Sequence, residues 1–307
     1  MQYFIYIIFL ISIYFVAIIP FWVLYPFSDL LAFLFFHVIK YRKKIILQNL
    51  RNSFPEKSEK EIKSIAKKTY RNLTDIIVES IKTFTISTKS ITKRFKVINP
   101  EVLDEYKQKG QSIIGVTGHY GNWEWGAMAG SIQIKHRAIA IYKPLSNKYI
   151  DNYIKRTRAE NGTLLKSILK TTETFENFKN QTCIFLLVAD QSPSDVHKAY
   201  WNNFLNQDTA CLHGPEKHAK NNNYPIIYLN IQRIKRGYYV VIAEKLIENP
   251  SKLPDGEITK MYMNKLEEII VQKPEDWLWS HNRWKRKRPD ISKTEEVSLE
   301  IVSETYS

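Results

Sequence analysis

The stretch "SIIGVTGHYGNWE", residues 112 to 124, decides the fold. Its first half is an apolar, β-like run, and its second half sets His119, then four residues, then Glu124 around a glycine-rich turn. Sites in α/β sheets gather where a strand ends and a helix begins, and the stretch reads as such a junction. Gly118 and Gly121 allow a tight turn, and Asn122 is a candidate helix N-cap. Glu124 then falls in the first helical turn, where the helix dipole favours its ionised form. A carboxylate held there bonds one imidazole nitrogen and leaves the other as a base. That arrangement suits removal of a proton from an alcohol as it attacks an ester or thioester. A histidine in such a turn also fits a purely structural hydrogen-bonding role, and the residues alone leave both readings open. No Ser or Cys stands in a G-x-S-x-G setting, so no acyl-enzyme is expected. Neither H-E-x-x-H nor a third ligand is near, so no metal and no cofactor is expected.

Outward from this junction, β-like runs alternate with helical ones. The runs are "SIIGVTG" (112 to 118), "RAIAIY" (137 to 142), "TCIFLLVA" (182 to 189), "YPIIYLNI" (224 to 231) and "YYVVIAEKL" (238 to 246). The last two flank "QRIKRG" as a hairpin. Helices are predicted over 122 to 132, 146 to 160, 172 to 180, 214 to 221 and 257 to 272. The alternation predicts an α/β fold, with a mixed central sheet flanked by helices and an antiparallel element near the end. Ser58 and Glu61 form a capping box, followed by apolar residues at helical spacing, so a long amphipathic helix is predicted from 59 to about 85.

The N-terminus is of another character. Residues 2 to 28 contain no Asp, Glu, Lys, Arg or His, and the run exceeds the roughly 20 residues that cross a bilayer core. It lacks the basic start and small-residue cleavage site of a signal peptide, so an N-terminal transmembrane helix is expected, ended or kinked at Pro20 or Pro26. "LLAFLFFHVI" (30 to 39) is too short to span and is expected to lie at the interface or on the domain. Lys40, Arg42, Lys43 and Lys44 follow, and this basic flank places the rest of the chain on the cytoplasmic face.

The formal charge is +14 over 307 residues; residues 290 to 307 contribute −4 (five acids, one lysine), so the preceding part carries +18. Three segments are expected: a membrane anchor and interfacial segment (1–45), a catalytic domain (46–289) and a disordered acidic tail (290–307). The basic body requires an anionic partner. With an anchor present and no nucleic-acid motif, phosphorylated lipid is preferred to DNA or RNA. Cys183 and Cys211 offer neither a disulfide framework nor ligand spacing.

Four ordered blocks resemble the bacterial lipid A biosynthesis acyltransferases, of the wider lysophospholipid acyltransferase group. "GHYGNWE" resembles their H-x4-D/E signature, "YKPLSNKYIDNYIKRTRAENG" (142 to 162) their second block, "VADQSP" (188 to 193) their Asp-Gln block and "KPEDWLWSHNRWKRKRP" (273 to 289) their closing block. The N-terminal layout agrees, so the resemblance covers about residues 15 to 289. It implies a glycerolipid-acyltransferase-like fold and a dyad in which His119 is the general base and Glu124 orients it. It further implies an arginine, Arg156 or Arg158, beside the thioester carbonyl or a phosphate. Asp190 and Gln191 are assigned to the active-site region, where a purely architectural role also fits. Arg283 and the tryptophans of the closing block suit phosphate and interface, or else packing. Lys143 stands where many relatives carry arginine, losing the bidentate fork, and Asn206 replaces a usual glycine. The implied reaction moves a fatty acyl chain from acyl carrier protein to a hydroxyl of an anionic glycolipid acceptor, a lipid A precursor, at the inner membrane. The alternatives are the same chemistry on a lysophospholipid or aminolipid, or a non-catalytic basic membrane-binding protein.

Overall fold

The computed structural model describes residues 1–197 and 199–289, so the predicted acidic tail lies outside the described residues. Seven strands form one mixed sheet: β1 (Phe95–Val97), β2 (Ile113–Thr117), β3 (Arg137–Tyr142), β4 (Thr163–Ser167), β5 (Cys183–Val188), then, after a separate antiparallel ribbon of β6 (Tyr200–Phe204) and β7 (Gln207–Cys211), β8 (Ile226–Lys235) and β9 (Tyr238–Ile247). Their order across the sheet is β1-β9-β8-β2-β5-β3-β4. β2 sits at the centre, parallel to β5 and β8, and β8 and β9 form the predicted antiparallel hairpin.

A central parallel strand must be apolar on both faces, and "IIGVT" is. Ile114 and Val116 join a core with Met263, Leu266 and Ile270 of the helix Glu257–Gln272, while Ile113 packs with Leu103 and Tyr106 of the helix Glu101–Gln108. At Gly115 a Cβ would lie 2.9 Å from Leu229 Cδ1.

The apolar N-terminus breaks at Pro20 as expected, and the helix long enough to span lies after the break. Helix α1 (Gln2–Ile18) ends before Pro20, which is the N-cap of α2 (Phe21–Phe33), and α2 runs on as a π-helix over Leu34–Val38. Pro20 thus sits where a missing N–H is harmless, Pro26 lies inside α2, and the "LLAFLFFHVI" stretch continues α2 into the π-turn and packs on the domain through Ala32 and Phe36, one of the two placements expected. Among the described residues, Phe21–Val38 is the helix long and apolar enough to cross a membrane by length and composition. After α3 (Lys43–Ser53), α4 (Glu59–Lys82) starts at the predicted capping box, with Ser58 N–H donating to Glu61 Oε2 at 2.8 Å.

Polar residues on the inward stripe of α4 fasten the two apolar helices. Lys82 Nζ donates to the carbonyls of Val16, Ala17 and Ile19 at 2.6–2.9 Å, satisfying the frayed C-terminus of α1. Ser28 of α2 donates to Asp75 at 2.7 Å, and Tyr25 to Glu79 at 2.9 Å. The opposite faces of both helices stay apolar and exposed, with Phe4, Ile8, Phe15, Trp22, Phe27 and Phe33 outward.

Candidate active site

β2 and β5 run parallel with Thr117 opposite Val188, so residues two positions beyond each strand end emerge side by side. Those residues are His119 and Asp190. His119 Nδ1 lies 2.5 Å from Asp190 Oδ1, and the His119 backbone N–H donates to Asp190 Oδ2 at 2.9 Å. Trp277 Nε1 adds a third donor to this carboxylate at 2.8 Å. The site therefore differs from the predicted dyad. Asp190, not Glu124, is the carboxylate bonded to the imidazole; Glu124 Oε2 instead accepts from Arg158 Nη2 at 2.7 Å.

Burial works against both charges, and the pair overcomes it. Burial raises the Asp190 carboxyl, yet the adjacent imidazole and three donors hold it down at about 2. Burial lowers the His119 imidazole, and the charges of Asp190 and, more remotely, Glu124 carry it above its ordinary value. With Nδ1–H pointing at Asp190, the neutral ring presents its Nε2 lone pair outward. Gln191 Nε2 lies 3.2 Å from that atom, an arrangement in which its amide donates to the lone pair.

The turn carrying His119 needs its glycines. Gly121 has φ +60, and a Cβ there would lie 2.9 Å from Ile231 Cγ2. Asn122 caps the helical turn Trp123–Trp125 as predicted, its Oδ1 accepting from Trp125 N–H at 2.9 Å. Its amide donates to Glu79 Oε2 at 2.7 Å, and Tyr239 donates to the same oxygen at 2.8 Å. Glu79 thus supports the active-site turn from below, and the sequence reading missed it. The available signal was its position on the inward stripe of α4, beside Thr74, Asp75 and Lys82.

Burial and the nearby Asp75 push the Glu79 carboxyl up to about 7. A raised carboxyl stabilises the fold fully below its unfolded value near 4.5 and loses that contribution as pH rises through 7. Wild type should therefore lose about 2 kcal/mol relative to Glu79→Gln between pH 5.5 and 8.5, measured by denaturant unfolding of both proteins at the two pH values.

The two candidate arginines separate cleanly. Arg158 is 4% exposed, and its Nη1 has no hydrogen-bond partner among the described residues. Arg156 faces solvent, its side chain 68% exposed and 3.9 Å from Glu160. Lys143 is exposed just past β3, outside the His119 cluster. Arg283 is buried against Cys211, its Nη2 3.8 Å from Sγ, so it does not present a guanidinium at the surface as its block suggested. Trp277 and Trp279 are buried too. His281, pushed down to about 4 by burial, accepts the Ser192 N–H at 3.2 Å and so steadies the Asp190 loop.

Beside this cluster an apolar cavity opens between sheet and helices, enclosing about 740 Å³ including the part open to solvent. Thr117, Trp123, Gly126, Gly130, Leu186 and Leu229 are among its walls. The Trp123 ring lies 5.0 Å from the His119 ring, so the cavity and the base share a wall.

A carboxylate-held base beside an apolar cavity matches the class of acyltransferases that handle fatty chains. The chain belongs to the bacterial lipid A biosynthesis acyltransferase family, whose sequence profile it matches over residues 1–286. It is 25% identical over 280 residues to the lipid A biosynthesis lauroyltransferase of Escherichia coli (strain K12), covering 88% of each chain. The resemblance drawn from the sequence blocks is borne out, and the protein is an acyltransferase.

Proposed function

We propose that the protein transfers a fatty acyl chain from an acyl carrier protein thioester to a hydroxyl of a lipid A precursor, with His119 as general base and Asp190 as its orienting carboxylate. The carrying observation is the His119–Asp190 pair at the wall of the apolar cavity. The acceptor hydroxyl displaces the Gln191 amide from Nε2 and gives its proton to that nitrogen as its oxygen bonds the thioester carbon. Arg158, through its unpartnered Nη1, stabilises the developing oxyanion, while Glu124 fixes the guanidinium in place. The C–S bond then breaks, and the imidazolium returns the proton to the departing thiolate. Asp190 stays ionised throughout.

The acyl chain lies in the cavity. The exposed apolar faces of α1 and α2 seat the molecule on the inner membrane with its catalytic body on the cytoplasmic side, and the charge of +14 favours an acidic carrier protein. Gly130 is part of the cavity wall, and a Cβ there meets nothing within 4 Å. Gly130→Leu is therefore expected to cut kcat/KM for twelve-carbon and longer donors about tenfold or more while sparing shorter ones, as a panel of thioester chain lengths will register. The test of the function is an assay of purified protein with acyl carrier protein thioesters and lipid acceptors. Acylated lipid A precursor is the expected product; preferential acylation of a lysophospholipid or aminolipid overturns the acceptor assignment.

A further inference from the structure

A second opening, of about 500 Å³ including the part open to solvent, lies beside α4 and the turn between β8 and β9 and is walled by Lys68, Arg71, Arg233, Lys235, Lys273 and Asp276, among others. It shares Asn72, Glu275 and Asp276 with a narrow cleft whose other walls include Trp123, Trp277 and Leu278. That strip adjoins the catalytic turn directly: Gly121 N–H donates to the Asp276 carbonyl at 3.0 Å, and Leu278 N–H to the His119 carbonyl at 3.1 Å. The apolar cavity, the cleft and the basic opening therefore follow one another, with Trp123 joining the first two.

The charges of this opening are not self-balanced. Arg233 and Arg236 bind Asp75, Arg71 and Arg236 bind Asp29, Lys68 lies 3.4 Å from Glu275, and Lys273 lies 2.6 Å from Asp276. With Lys235, which stacks over Tyr238 and has no carboxylate partner among the described residues, five cations line the opening against two lining carboxylates, Glu275 and Asp276, while Asp29 and Asp75 pair with Arg71 and Arg233. This positively charged lining suits a phosphoryl group, which carries roughly −1.5 to −2 at neutral pH. Lys68, Arg71 and Lys235 are exposed, so their weak surface pairs give way readily to a stronger bidentate or multidentate anion. Asp29 belongs to α2, whose outer face is apolar, so the opening sits beside the surface that would meet the membrane.

We propose that this basic opening binds a phosphoryl group of the glycolipid acceptor and thereby sets the acceptor hydroxyl over His119. The inference rests on the acyl-transfer reading given above. The test compares wild type with Lys68→Ala/Lys235→Ala, two exposed positions outside the catalytic cluster, using one acceptor in phosphorylated and dephosphorylated forms. With the phosphorylated acceptor the variant's acceptor KM rises about tenfold or more, while kcat and the donor KM hold. With the dephosphorylated acceptor the two proteins give the same, higher KM. Equal KM values with the phosphorylated acceptor overturn the proposal, as does a defect that persists without the phosphate. Two further arms identify the source of the anion. Loss of binding to phosphatidylglycerol vesicles large enough to explain the KM change assigns the opening to bulk lipid, and competition by inorganic phosphate as potent as that of the phosphorylated headgroup assigns it to the free ion; either result overturns acceptor positioning. A wild type that acylates no lipid A precursor at all refutes the acyl-transfer reading, whereas intact transfer with a neutral double variant refutes only the phosphoryl site.

Discussion

His119→Ala lowers kcat by about three orders of magnitude or more and leaves the protein folded. The loss is expected to be large because, in the proposed mechanism, the outward Nε2 takes the hydroxyl proton; the Gln191 amide and the Trp123 ring, which lie against the imidazole, cannot replace it as a base. The fold survives because truncation does not orphan the carboxylate beneath. Asp190 retains two donors, the Trp277 indole at 2.8 Å and the backbone N–H of residue 119 at 2.9 Å, so its buried charge stays hydrogen-bonded. The measurement is product formation under saturating donor and acceptor, beside a thermal midpoint for each protein. A variant that keeps a tenth of the wild-type rate shows that the imidazole is not the base.

Asp190→Asn is the more discriminating substitution, with an expected loss of about a hundredfold to ten-thousandfold in kcat. An asparagine amide directed at Nδ1 makes that atom an acceptor and moves the ring proton to Nε2, where a base is needed. The pH profile carries a second signature. The imidazole must be neutral to act, so the rate falls as pH drops through its pKa, and Asp190 holds that pKa above the ordinary histidine value. Removing the charge moves the acidic limb of kcat/KM to lower pH. Glu124→Gln removes a more distant charge and no bond to the ring, so its limb moves less; its damage falls on Arg158, which loses its carboxylate partner. If Glu124→Gln shifts the limb further than Asp190→Asn, the assignment of the orienting carboxylate to Asp190 is wrong.

Much of the scaffold is legible along the chain. β3 runs over the predicted 137–142, the last long helix over the predicted 257–272, and α4 starts at its predicted capping box. Each is marked by local periodicity, a cap or a turn. The strands that escaped lack such marks. β1 is three residues long, β4 reads "TLLKS", and the β6–β7 ribbon is polar enough to pass for a loop. These form because neighbouring strands supply hydrogen-bond partners, which is tertiary context.

The site divides along the same line. The residue types and their places at strand ends and at a helix start are local facts, and His119, Asn122, Asp190 and Gln191 could be named from them. Which carboxylate meets the imidazole is not local. It follows from β2 and β5 lying parallel with Thr117 opposite Val188, a register set by packing between segments some seventy residues apart. The amino-acid sequence alone determined the elements and the reactive groups, because hydrogen-bonding pattern and apolar period act over a few residues. Only the tertiary structure decided the pairings, Asp190 with His119 and Glu124 with Arg158, because sheet register and helix docking bring distant side chains within hydrogen-bonding distance of one another.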